Sequence, residues 1–368
     1  LTEVQAQLGE HIAPLDLLAL FGSVDQPGAE CLFWRAPEDD KSLFGWGVAA
    51  ELSSAGPQRF ASVDAQWRHW LQSAVIHGPL APSVCGGFRF DHQVKASPAW
   101  QGFGDASLLL MTLLLVRDGE DCWLVCQQRV APSDEARCCC EHVLNEWSAL
   151  MDLYVSGAPT TVALQHTRDQ SLPRACWEGK VAHALGVLRD TPLNKVVLAR
   201  EVVSEFSRPI SAGRTLAALA INDPTAYLFA FRRHHACFIG ASPERLVKLH
   251  DGHLQTLALA GTARRDPCPE QDAQLAQTLL GCQKNQHEHA VVVQIIQRDL
   301  APWVRPLHVP PAPHIKRLSR VQHLATLIEG ALRPQSSLLD MVAVLHPTPA
   351  VGGHERGQAL EHIRDALA

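Results

Sequence analysis

The sequence predicts an α+β fold, in which strand-rich stretches closed by tight turns alternate with separate helical stretches. Three observations carry that expectation. From about residue 30 to 130 the chain reads as apolar runs broken by turn residues, and from 270 to 300 as a helical region. Between them, 238–265 reads as two β-rich runs meeting at Asp251-Gly252, a short-range hairpin signal. Apolar residues make up 46% of the 368 and charged residues 19%, which suits one large domain or two ordinary ones with a sizeable core.

Taken in order, 1–24 suggests a short amphipathic helix, with Val4, Leu8, Ile12 and Leu15 near helical spacing. Strands are expected at 31–34, 43–52, 86–91 and 107–116, and a further one at 121–128 forms a hairpin across the Arg-Asp-Gly-Glu turn at 117–120. The polar stretch 156–173 reads as a linker between a β-rich half, 1–165, and a second half, 174–368. Trp177, Val181, Leu185 and Leu188 mark one face of a helix that ends before Thr191-Pro192. A strand follows at 193–203, then helices over 270–300 with a break near Gly281. Residues 306–313 read as a loop and 314–322 as a strand or turn, followed by helices near 323–332, 336–345 and 356–368.

Composition excludes several functions. A formal charge of −6 leaves no basic footprint for nucleic acid or an anionic membrane. The longest greasy run, 107–116, is too short to span a bilayer. Eleven cysteines, an odd number without framework spacing, point to a reduced, cytoplasmic setting. Cys138, Cys139 and Cys140 with His142 make a poor zinc site, because adjacent thiols cannot all face one tetrahedral ion.

Four places could carry chemistry. Glu244 stands in a Ser-Pro-Glu-Arg element against an apolar strand, so it is either held in an ion pair or kept for proton transfer. Lys195, flanked by Val196, Val197 and Leu198, is a desolvated general base or a strand-end lysine reaching solvent. Glu288 shares a helical stripe with Val291, Val292 and Ile295, so its carboxylate needs a cation, either Mg2+ or an arginine. Its neighbours His287 and His289 do not repeat at the spacing of a zinc helix. The Ala260-Gly261-Thr262 step lets backbone N–H groups approach an anion, and His346-Pro347-Thr348-Pro349-Ala350 makes a rigid loop suited to a pocket wall.

Together KVVLAR at 195–200, GASPERLV at 240–247, ALAGT at 258–262, KNQHEH at 284–289, VQHL at 321–324 and HPTPAVGG at 346–353 resemble the chorismate-binding enzymes. Upstream, GPLAPSVCGGFRFD at 78–91 and WQGFGDASLLL at 100–110 are similar to the isochorismate synthases of salicylate-siderophore pathways. The resemblance implies the fold of anthranilate synthase component I, large antiparallel sheets flanked by helices with the chorismate pocket between two halves. It implies Lys195 as the general base that activates water and Glu244 as the acid that protonates the leaving hydroxyl. Glu288 would then be a Mg2+ ligand, with Gly261, Thr262, His323, Ala350 and Val351 lining the substrate site. Ala260 stands where aminodeoxychorismate synthases carry a nucleophilic lysine, which closes that route.

The implied reaction is chorismate to isochorismate, feeding salicylate through a separate isochorismate-pyruvate lyase. Menaquinone supply, a bifunctional salicylate synthase and an inactive remnant are the alternatives. Two departures bear on them. Gln294 replaces an acid the family usually has, and the chain, which begins at Leu1 and not Met, stops at Ala368 before the closing Glu-x-x-Glu of the metal site. An excerpt or a truncated chain is therefore expected.

Overall fold

The long apolar run ending at Val116 becomes an interior strand, buried along nearly its whole length, and one large sheet is built outward from it. The computed structural model describes residues 2–7, 15–94, 96–131, 134, 136–156 and 166–367. In chain order its elements are β1 (Thr2–Gln7), α1 (Leu17–Ser23), β2 (Cys31–Ala36), β3 (Lys41–Ser54), α2 (Arg59–Gln72), β4 (Val75–His77), β5 (Cys85–Phe88), β6 (Ala106–Asp118), β7 (Asp121–Gln128) and α3 (Ala136–Ser156). They continue with β8 (His166–Ser171), α4 (Arg174–Asp190), β9 (Lys195–Val196), β10 (Val202–Phe206), α5 (Ala212–Asn222), β11 (Tyr227–Arg233), β12 (Ala236–Ser242), β13 (Lys248–His250) and β14 (His253–Arg264). Last come α6 (Pro269–Gly281), α7 (Gln283–Leu300), β15 (Val304–His308), β16 (His314–Arg317), β17 (Val321–Leu332), α8 (Leu338–Leu345), β18 (Gly353–His354) and α9 (Arg356–Leu367).

The chain divides into two compact units, 1–162 with 210–243, and 163–209 with 244–368. They cross the continuous halves expected from sequence. Residues 210–243 join the first unit because β11 pairs with β2, bringing β12 with it. In that unit a sheet runs β12-β11-β2-β3-β6-β7-β1-β4, with β5 beside β6, and every pair is antiparallel except β1 with β4. Alternate residues of β6 feed two apolar clusters, Leu113 and Leu115 into one, Leu114 and Val116 into the other, as strand geometry demands. Asp25, whose side chain is 2% exposed, pairs with Arg232 and accepts hydrogen bonds from Ser211 Oγ and the Gly213 N–H.

The second unit holds a five-stranded antiparallel sheet, β13-β14-β17-β15, with β16 also on β17. Helices α7 and α8 cover it, packing Val292, Ile296, Leu300, Met341 and Leu345 against Leu254, Ala258 and Ile328. The hairpin expected at Asp251-Gly252 is there: both residues have positive φ, 48° and 74°, as the tight two-residue turn between β13 and β14 requires. The hairpin is confined to β13 and β14, however. Residues 236–242 belong to β12 in the first unit, and the chain changes unit between Pro243 and Glu244.

Four further expectations are corrected. The segment 1–24 is not one helix: 2–7 forms β1, which pairs with β7, and only 17–23 is helical; Leu8 and Ile12 lie outside the described residues. The expected helix near 323–332 is the strand β17, whose even-numbered residues from Gln322 to Gly330 are all buried. The expected strand over 193–203 keeps only Lys195 and Val196 as β9 and resumes at β10, with no ladder between. Within the expected linker, 166–171 is the strand β8, paired with β10, while 157–165 lies outside the described residues. The break between α6 and α7 at Cys282 and the helix α9 match expectation. All eleven cysteines are free thiols, and among the described residues no helix is long and apolar enough to cross a membrane.

Candidate active site

Lys195 is placed by the shortest ladder in the second unit. β9 pairs antiparallel with β18, Lys195 opposite His354 and Val196 opposite Gly353. Gly353 has φ 147°, and a Cβ there would lie 2.3 Å from the Lys195 carbonyl oxygen, so only glycine lets the strands close. The lysine side chain is 14% exposed and its Nζ lies 3.1 Å from Glu288 Oε1. Neither reading open for Glu288 from sequence alone anticipated this: its cation is this lysine, not an arginine. The carboxylate lies at the edge of the buried stripe of α7, 38% exposed.

Glu244 follows the change of unit and is partly buried. Burial pushes its pKa up to about 7, although Lys195 and then Lys316 pull it down. At neutral pH this carboxyl is therefore poised between its two forms, within the field of the same lysine that touches Glu288.

Gly261 sits in a bulge that shifts the β14–β17 register between Ala260 and Thr262. Its φ is 81°, and a Cβ would lie 3.2 Å from Asn285 Cβ on α7 and 3.3 Å from Leu324 Cδ1. Past the bulge, Thr262 faces His323, with Oγ1 and Nδ1 2.9 Å apart. Lys316 on β16 is directly opposite His323, so Lys316, His323 and Thr262 form one row across three strands. Burial lowers the His323 pKa, the Gly261 backbone opposes this, and Lys316 lowers it further.

The late loop is less convergent. Thr348 O accepts from the Val351 and Gly352 N–H groups, at 3.2 and 3.0 Å, and the turn leads into β18 opposite Lys195. Ala350 packs on the unit's apolar cluster, whereas Val351 is exposed. All the residues expected at the site lie in the second unit. Lys195, Glu288 and Glu244 are linked by contact or field, and Thr262 with His323 by a hydrogen bond, while Ala350 and Val351 reach Lys195 only through the β9–β18 ladder.

Two residues escaped the sequence reading. Lys316 was hidden because 323–332 read as a helix; a strand there makes 314–325 a hairpin and puts Lys316 opposite His323. His289 offers nothing to sequence beyond a zinc spacing it does not satisfy, yet it is buried and bonded to Thr326. Gln294, in contrast, is exposed on α7.

In this unit Lys195 touches Glu288 and lies within the field that acts on Glu244, and the Gly261 bulge brings Thr262 onto His323. The chain belongs to the chorismate binding enzymes, matching that family over residues 2–366. It is 41% identical over 359 residues to a salicylate biosynthesis isochorismate synthase of Pseudomonas aeruginosa, covering 96% of this chain and 74% of the relative. It is 29% identical over 374 residues to isochorismate synthase MenF of Bacillus subtilis, covering 96% and 77%. Among solved structures, the menaquinone-specific isochorismate synthase MenF of Escherichia coli matches with a TM-score of 0.80 and 26% identity, over 99% of this chain and 78% of that one. Anthranilate synthase component I of Streptococcus pneumoniae shares the fold, at a TM-score of 0.70 and 17% identity over 98% of this chain and 80% of its own.

Proposed function

We propose that this chain is an isochorismate synthase that converts chorismate to isochorismate. The observation that carries the reading is Glu244, a carboxyl held near pKa 7 by burial within the field of Lys195. Lys195 serves as the base that takes a proton from water as the oxygen bonds to ring carbon C2. The ring double bonds shift, the C4–O bond breaks, and the Glu244 carboxyl gives its proton to the departing hydroxyl, which leaves as water. The lysine ends protonated and the glutamate ionised, and solvent exchange restores both. Thr262 and His323 orient the ring, and the bulge at Gly261 lets backbone approach a carboxylate. Ala260, buried against α7, offers no amine for an amination route.

The residues present fit one half of a Mg2+ site. Glu288 offers hard carboxylate oxygens, and Mg2+ commonly takes one or two carboxylates with water and substrate oxygens filling the rest. Among the described residues no group of three or more His, Cys, Asp or Glu is set for a metal, and Glu288 is the donor assigned to the ion. A bound Mg2+ would hold the substrate's ring carboxylate and take over from Lys195 the neutralising of Glu288. The likeness to the salicylate relative favours a salicylate branch; a separate lyase downstream and a cytoplasmic setting belong to the same reading.

Chorismate and Mg2+ given to the purified protein, with products separated by chromatography, test this. Isochorismate alone is expected. Salicylate with pyruvate would instead make it a bifunctional synthase, and chorismate bound but unchanged would make it a non-catalytic binder. Deleting the gene tests the branch: loss of salicylate with menaquinone intact is expected, and the reverse would assign it to menaquinone supply.

A further inference from the structure

Two neighbouring residues of α7 do different things. Glu288 leans out to Lys195, while His289, 2% exposed, turns into the sheet and sets Nε2 2.8 Å from Thr326 Oγ1 on β17. The Ala260 backbone on β14 is the ring's other polar neighbour, although Nδ1 has no hydrogen bond of full geometry. Around it the interface is apolar, with Val292 and Ile296 against Ala258 and Ile328. A polar ring in such a place costs desolvation that a leucine would not. What it adds is direction. Apolar packing tolerates a small rotation of a helix about its axis, whereas a hydrogen bond at one angle does not.

Asn285 rests on the Gly261 bulge one turn earlier on the same helix. Asn285, Glu288 and His289 therefore tie a single turn of α7 to β14, Lys195 and β17 respectively. A carboxylate about 7 Å from the axis moves about 1 Å when the helix turns by about 10°, and a displacement of about 1 Å at a reacting centre can cost about a hundredfold in rate.

We propose that His289 is a positioning residue: through Thr326 it fixes the rotation of α7 and so the place of the Glu288 carboxylate relative to Lys195 and the Gly261-Thr262 step. The inference rests on Glu288 serving the isochorismate synthase reaction. It invokes no charge change on the ring, only the hydrogen bond that His289 makes with Thr326.

The test compares His289→Leu, His289→Gln and Thr326→Val with Val292→Ala, a core truncation on the same helix with no polar tie. Turnover, the KM for chorismate, the Mg2+ dissociation constant from titration calorimetry and the thermal midpoint are read for each. His289→Leu and Thr326→Val should each lower kcat by about ten- to a hundredfold and weaken Mg2+ binding. The double variant should lose no more than the worse single one, because the two share one bond. His289→Gln, which can still reach Thr326, should recover most of the loss. Val292→Ala should lose thermal stability to a similar degree and keep kcat and Mg2+ affinity. The proposal is overturned if Val292→Ala loses as much turnover as His289→Leu, or if Thr326→Val alone is silent. Glu288→Ala run alongside separates the two levels: an active Glu288→Ala with normal Mg2+ binding removes the role of Glu288 itself, and with it the target that His289 positions.

Discussion

Glu244→Gln should make the protein more stable at pH 8 while abolishing its turnover. The carboxyl's pKa is raised from an ordinary 4.5 to about 7, chiefly by burial. Below pH 4.5 both the folded and the unfolded chain hold this proton, so nothing is lost. As pH rises from 4.5 to 7 the unfolded chain ionises while the folded one stays protonated, and folding stability falls. Above 7 both are ionised and the penalty is complete. At about 1.4 kcal/mol per pH unit the gap amounts to about 3 kcal/mol, an order of magnitude that partial exposure trims toward 2. Glutamine has no proton to lose, so it escapes the penalty. Urea denaturation of both proteins at pH 5 and pH 8 reads it: the variant should be nearly level at pH 5 and ahead by about 2 to 3 kcal/mol at pH 8. A stability difference that does not change between pH 5 and pH 8 would refute the raised pKa and, with it, Glu244 as an acid protonated near neutrality.

Three further outcomes are expected. Lys195→Ala removes the amine that touches Glu288 at 3.1 Å; isochorismate formation should fall by about a hundredfold or more with far-UV circular dichroism unchanged, and near-normal turnover would remove Lys195 as the base. Gly261→Ala places a Cβ on a backbone with φ 81°, 3.2 Å from Asn285 Cβ. The left-handed conformation alone costs about 1 to 2 kcal/mol, so urea denaturation should show at least that loss, and turnover should fall as α7 is pushed off the bulge. Asp25→Ala leaves buried Arg232 without its carboxylate and takes the cap from the start of α5. Breaking a buried pair in this way costs about 3 to 5 kcal/mol, and a thermal midpoint within a degree of wild type would show the pair to be dispensable.

Much of the second unit was legible because its signals are local. The turn at Asp251-Gly252 needs two residues that accept positive φ, and that pair is written in adjacent letters. The break at Cys282 and the Ser337–Asp340 capping box that starts α8 are equally short-range. Glu244 could be suspected from its neighbours alone, because a carboxyl between a proline and an apolar run has few places to go. Its pKa could not, since that depends on how deeply the fold buries it and on Lys316, which lies 72 residues away in the chain. The extent of unit one was illegible for the same reason: that β12 leaves the hairpin for the other unit follows from β11 pairing with β2, a contact between segments far apart in sequence.

The misreading of β17 shows what such a failure hides. VQHLATLIEGAL is apolar and long enough to suit a helix, and periodicity alone does not separate a short buried strand from a buried helix. The structure decides it by burying every even-numbered residue from Gln322 to Gly330, which leaves His323 on the opposite face. As a helix, 323–332 would have left His323 an isolated candidate on the strength of a motif. As a strand, it has neighbours fixed by register: Thr262 on one side at 2.9 Å and Lys316 on the other. The same strand turns Thr326 the other way, to the buried face, where it meets His289. One period assignment thus governs both faces of the strand, the Thr262–His323–Lys316 row on one and the Thr326–His289 bond on the other. That is why Thr326→Val, a change on the side away from His323, is expected to be felt in turnover.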